Sequence, residues 1–218
     1  MKTIAPTSLA RTQRLRAAGL LAIGLVAVAI VVVALALLQR QRIERNERAW
    51  LLARIEALVP PTSHDNDLYA DRILVRAPDM LGSDAPVPIY RARLRGEPVA
   101  VVMSPVAPDG YGGPIELLLA IAYDGTLLGV QVLAHHETPG IGDGFEPRRS
   151  DWLDSFKRRS LANTAPNRWG IRKDGGDFDE FTGASITPRA IIKAVRRALE
   201  YYRANREMLF DAPAQPQS

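Results

Sequence analysis

One stretch limits this chain before any other. Ala17–Leu38, "AAGLLAIGLVAVAIVVVALALL", runs for 22 residues without a charged or strongly polar side chain. At 1.5 Å per residue a helix of that length reaches roughly 33 Å, enough to cross the hydrocarbon core of a bilayer. A cleavable signal peptide has a shorter apolar core and ends in a small-residue cleavage site. Here the run ends in "LLQRQR", which reads as a stop. The expectation is one uncleaved N-terminal transmembrane helix over 17–38. The preceding tail, 1–16, carries Lys2, Arg11, Arg14 and Arg16 and no acid. The far side mixes Arg40, Arg42, Arg45 and Arg48 with Glu44 and Glu47. Basic counts alone do not set the orientation. The short, purely positive tail favours a cytoplasmic N-terminus, which leaves the remaining residues outside the cytoplasm.

The rest of a 218-residue chain leaves room for one soluble domain. There is no cysteine, which excludes disulfides, thiol nucleophiles and all-cysteine iron–sulfur or zinc sites. Redox chemistry would need a borrowed cofactor. The net charge of +4 does not argue for nucleic acid. The basic cluster Arg148, Arg149, Lys157, Arg158 and Arg159 lacks the interleaved aromatics of a nucleic-acid surface.

Past the apolar run, 39–67 reads as a juxtamembrane helix and linker. Ile43, Trp50, Leu51, Ile55 and Leu58 keep helical spacing until "VPPTSHDND" breaks it. From Leu68 to Glu207 the pattern is that of an α+β domain with a mainly antiparallel sheet. "DRILVRAP", "PIYRARLRGEPVAVVMSPV" and "PIELLLAIAYDGTLLGVQVLAHH" read as strands, punctuated by turns at Arg95-Gly96 and Asp124-Gly125. A short helix is expected over 150–161, capped by Ser150, with Trp152, Leu153 and Phe156 on its apolar face. A long one is expected over Pro188–Glu207, with Thr187 as N-cap, Pro188 at the first helical position, and Ile191, Ile192, Val195, Leu199 and Tyr202 as its buried stripe. The final residues, 208–218, read as a disordered tail.

Three stretches hold residues suited to chemistry. In "DEFTGASITPRA" the hydroxyls of Thr182, Ser185 and Thr187 crowd one helix start, with Gly183 and Ala184 leaving the backbone approachable. A helix N-terminus favours negative charge, so a hydroxyl there can bind a phosphate or be esterified to one. A tight turn with a capping box reads the same residues more plainly. "HHETPGIGDGF", 135–145, follows a strand and suits the rim of a ligand site, or simply a wide turn. His135, His136 and Glu137 are poorly spaced for a metal, because neighbours on a strand point to opposite faces. "GYGGPIELLLAI", from Gly110, allows close backbone approach at a strand entry, as does any plain hairpin.

Taken together, "GYGGPIELLLAIAYDGTLLGVQVLAHHETPGIGD" and "FDEFTGASITPRAIIKAV" resemble the FMN-binding domain of the G subunit of Rnf-type ion-translocating electron transport complexes. The C subunit of the sodium-pumping NADH:quinone reductase is a related member. The resemblance implies FMN joined through a phosphoester to the last hydroxyl of the motif, here Ser185, where threonine is commoner. Thr182, Gly183 and Ala184 complete the motif, Asp179 matches its acidic position, and Thr187 stays free to cap the helix. By the same analogy Glu137, Thr138 and Gly140 lie near the flavin. The resemblance further implies a flavin transferase that installs FMN from FAD, the other membrane subunits of the complex as partners, and a single-pass protein of the bacterial inner membrane with its domain on the periplasmic side. The implied role is electron carriage within a translocase rather than free-standing catalysis. Two other readings stay open: a C-type subunit of the sodium pump, and a flavin-free anchored scaffold of the same fold.

Overall fold

The computed structural model describes residues 24–26, 28–35, 45–181 and 184–215. The chain divides into two compact units, Met1–Leu51 and Leu52–Ser218. In the first unit the described residues, 24–26, 28–35 and 45–51, are helical. Those at 24–26 and 28–35 are exposed, Leu25, Ile30 and Val32 among them. Among the described residues no helix is long and apolar enough to cross a membrane. The expected tail at 1–16 and half of the expected span over 17–38 lie outside the described residues.

The second unit opens with helical residues 52–58 (α1), earlier than the boundary expected at Leu68. Its centre is a six-stranded antiparallel sheet: β1 (Arg72–Val75), β2 (Val87–Leu94), β3 (Glu97–Met103), β4 (Val106–Ala107), β5 (Ile115–Ala122) and β6 (Leu127–Ala134). β3 and β4 follow one another along one edge of β5, and β6 takes its other edge. Short helix α2 (Pro78–Leu81) and long helix α3 (Ile186–Asp211) complete the α+β fold.

Local chemistry explains the hairpins. Leu94 and Glu97 face each other across Arg95 and Gly96, both with positive φ, a two-residue turn whose twist matches that of the strands. In the β5–β6 turn Gly125 takes φ +90°, Thr126 N donates to Asp124 Oδ1 (2.8 Å), and Ala122 N donates to Thr126 O (2.8 Å). β5 reads as a nearly continuous apolar run because both its faces are covered. Ile115, Leu117, Leu119 and Ile121 join the main core with α3 residues Ile191, Val195, Leu199 and Tyr202. Leu118 and Ala120 point the other way and are equally buried. On that side Arg54 of α1 donates to Gln131 of β6 (3.4 Å), and a Cβ on Gly129 would fall 2.7 Å from Leu58.

The two expected helices are both relocated. α3 begins at Ile186, so Thr187 and Pro188 lie inside its first turn, and Ser185 rather than Thr187 holds the N-cap position. Its far end runs to Asp211, with Leu209 and Phe210 buried, so 208–211 is helix and not tail. Arg91, only 2% exposed, explains this extension. It projects from β2, donates Nη1 to the carbonyls of Leu209 (3.1 Å), Phe210 and Ala212, and is neutralised by Asp71. A cation on the open carbonyls of a helix end satisfies them and complements the dipole. The helix expected over 150–161 shrinks to a 3-10 turn, Trp152–Phe156. Arg158 then takes φ +65°, and 158–159 pair backbone to backbone with Leu127. That strand-like pairing consumes the groups a longer helix would need.

Candidate functional site

The three stretches singled out in sequence meet at the start of α3, and Glu137 joins them. Its side chain is 4% exposed. Oε2 accepts from Thr187 Oγ1 (2.8 Å) and Oε1 accepts from Gly112 N (3.1 Å). One carboxylate therefore ties the "HETPG" loop to the helix and to the Gly110–Gly113 turn. The turn must come close for this: a Cβ on Gly112 would lie 2.0 Å from His136 O. Thr187 is fully buried and spends its hydroxyl on Glu137, so the expectation that it caps the helix is corrected.

Phe181 and Ala184 form an isolated antiparallel bridge, with Ala184 N donating to Phe181 O (3.0 Å). Thr182 and Gly183, between them, lie outside the described residues. Phe181 is packed beneath the 135–145 loop, where Gly144 leaves it space that a Cβ would close to 2.6 Å. Trp152 stands edge-on to Phe181 at 4.9 Å and donates Nε1 to Asp179 O (2.8 Å). This aromatic packing fixes the entry to the motif. The Asp179 carboxylate points outward, exposed, onto Arg172 (2.7 Å).

Ser185 is half-buried, and its hydroxyl does not cap the helix. It instead accepts from Arg189 Nη1 at 2.9 Å. Arg189 is gripped from the other side by Asp174, with Nε to Oδ2 at 2.6 Å and Nη2 to Oδ1 at 2.9 Å. This two-bonded contact holds the Asp174 carboxyl below its ordinary value and raises the guanidinium of Arg189. The first turn of α3 carries no acidic residue. The Ser185 hydroxyl therefore sits at the positive end of a helix dipole, beside a cation.

Thr138 and Gly140 are exposed on the loop rim. Gly140 N donates to Asp143 Oδ1 (2.8 Å), and Asp143, itself buried, pairs with Arg149 (2.8 Å). His135 is turned in, edge-on to Phe145 at 4.8 Å and 3.3 Å from Glu146, while His136 is exposed. Beside the loop and the motif entry opens a cavity of about 650 Å³. Its rim includes Gly140, Ile141, Trp152, Asp179, Glu180 and Phe181. Sequence reasoning missed Arg189 and Asp174. Arg189 is recoverable once α3 is known to start at Ile186, because it lies one turn, i to i+4, from Ser185. Asp174 carries no local signal.

The model of the FMN-binding domain family matches residues 110–200, which contain all three converging stretches. The G subunit of the ion-translocating oxidoreductase complex of Shewanella loihica is 46% identical over 174 residues, covering 80% of this chain and 82% of that protein. Its counterpart from Vibrio atlanticus is 43% identical over 176 residues, covering 81% and 84%. The one from Pseudomonas aeruginosa is 49% identical over 152 residues, covering 70% and 71%. The chain belongs to the family of G subunits of ion-translocating oxidoreductase complexes, with an FMN-binding domain over 110–200.

Proposed function

We propose that this chain is the membrane-anchored flavoprotein subunit of an ion-translocating electron transport complex, carrying FMN through a phosphoester on Ser185. The observation that carries the reading is the environment of the Ser185 hydroxyl. It lies at an uncapped helix start, 2.9 Å from a guanidinium, where a phosphate gains both dipole and charge stabilisation. Bound FMN supplies the capacity to accept and release electrons; the protein supplies position and shielding.

The residues divide that work by charge. The cavity beside the loop is lined by Asp143, Asp151, Asp154, Asp179 and Glu180, with Arg149 as the one cation among its described residues. Arg149 is paired with Asp143, so the cavity offers a phosphate no free cation among those residues and suits the uncharged flavin ring better. Its size falls within the usual range for small-molecule sites. Ile141 and Phe181 offer apolar surface to a ring there. Glu137 holds the loop and the helix start together through Thr187, which keeps the ring site and the phosphate site in register. Thr138 and Gly140, on the rim, would meet the ring from outside. Thr182 and Gly183 precede Ser185 in the motif as residues for the same cofactor. The names of the relatives favour a G-type over a C-type subunit.

The anchor over 17–38 would keep the domain beside its neighbouring membrane subunits, with the flavin on the periplasmic side and a flavin transferase as maturation partner. With one span and no charge within it, this chain has no ion path of its own. The direct test is Ser185→Ala, co-expressed with a flavin transferase. In-gel flavin fluorescence disappears while the domain stays folded; fluorescence retained in the variant refutes the assignment.

A further inference from the structure

We infer that Arg189 is the residue that positions Ser185 for flavin attachment and then neutralises the phosphodiester, with Asp174 as the counter-ion that offsets its charge until the phosphate arrives. The inference rests on the reading of Ser185 as the attachment point.

Arg189 is misplaced for a purely structural residue. It lies in the first turn of α3, at the positive end of the dipole, where a cation is disfavoured. Among the described residues the turn offers no acid and no capping side chain to offset it. Asp174 reaches in from a separate 3-10 turn, Arg172–Asp174, and supplies one negative charge. Three of the five guanidinium N–H groups are engaged, two by Asp174 and one by Ser185 Oγ. The remaining two, on Nη1 and Nη2, have no partner among the described residues. A bound phosphate oxygen next to Ser185 would meet them in the planar, forked geometry at which arginine surpasses lysine.

The chemistry fits that placement. Attachment joins Ser185 Oγ to the phosphorus on the FMN side of FAD. The Oγ–P bond forms as the bond from that phosphorus to the bridging pyrophosphate oxygen breaks. AMP leaves with that oxygen, and the hydroxyl proton passes to a base on the transferase. No electron moves. The Arg189 N–H occupies one lone pair of Oγ and fixes the hydroxyl's direction. The same cation faces the negative charge that accumulates on phosphorus oxygens in the transition state and remains on the product.

The test is the rate of attachment to the full chain, with purified transferase and FAD, followed by intact mass and in-gel fluorescence. Arg189→Ala and Asp174→Asn break the same exposed ion pair, so a merely structural pair predicts equal slowing. The positioning role predicts inequality. Arg189→Ala and Arg189→Gln slow attachment by about tenfold or more, Arg189→Lys recovers part of the loss, and Asp174→Asn is labelled at least as fast as wild type. Thermal melts confirm that the variants are folded. Labelling of Arg189→Ala and Arg189→Gln at the wild-type rate overturns the inference, and so does equal slowing of Arg189→Ala and Asp174→Asn. A wild-type chain labelled on Ser185 together with either of those results sinks only the role of Arg189. An unlabelled wild-type chain sinks the attachment site and this inference with it.

Discussion

Removing the Glu137 carboxylate unties the site, and the two partners of that carboxylate do not suffer equally. Thr187 is 0% exposed, so its hydroxyl, left without Glu137 Oε2, has no water to turn to. An orphaned buried donor costs about 1–3 kcal/mol. Gly112 is exposed, so its N–H recovers a water and the loss there is roughly 0.5–1 kcal/mol. The one buried methylene that alanine lacks adds about 0.8 kcal/mol. Glu137→Ala should therefore destabilise the fold by about 2.5–5 kcal/mol. Thr187→Val keeps the shape and removes only the donor, which costs about 1.5–3 kcal/mol for a bond to a charged group. The double variant has no orphaned hydroxyl. It should be more stable than the sum of the single changes by about 1–2 kcal/mol. Urea unfolding of the full chain in mild detergent, read by tryptophan fluorescence, measures all three. Additivity of the two changes within about 0.5 kcal/mol would refute the claim that this bond couples loop to helix.

Other expectations follow from the same contacts. Arg91→Met keeps most of the volume but strips the donor from the C-terminal carbonyls of α3 and from Asp71, and should cost about 3 kcal/mol or more in urea unfolding; a loss under about 1 kcal/mol would contradict the capping role. Gly112→Ala places a Cβ against His136 O and should lower the melting temperature and the extent of flavin attachment together, whereas an unchanged melt would show that the turn has room to spare. Asp174 and Asp177 titrate below the ordinary carboxylate range, chiefly through hydrogen bonds from Arg189 and Arg159. Depressed carboxylates stabilise the fold above their unfolded value and lose that contribution as pH falls through the folded one. Melting temperature should thus decline below about pH 4, and less steeply in Asp177→Asn; identical acid profiles would remove these pairs from the account.

The sheet was readable because its signals are local. Alternation, Arg95-Gly96 and Asp124-Gly125 specify strands and turns within a few residues, and the α3 stripe from Ile191 to Tyr202 has an unmistakable period. What sequence misplaced depends on distant partners. Thr187 followed by Pro188 looks like a cap and a first helical residue. Its hydroxyl, however, is claimed by Glu137, fifty residues earlier in the chain, and the helix starts before it. The end of α3 is extended by Arg91 from β2, and the turn after Phe156 is cut short by backbone pairing with Leu127. No local pattern announces any of these. The convergence of "GYGG", "HETPG" and the motif was legible only as a resemblance. The geometry supplies its physical basis in one buried carboxylate.

The measurement that bears most directly on the central claim is the intact mass of the full chain co-expressed with a flavin transferase, followed by peptide mapping. The account predicts an increment of FMN less one water, located on Ser185. An adduct on Thr182 or Thr187, or an unmodified chain under conditions that label a threonine-bearing relative, would contradict it.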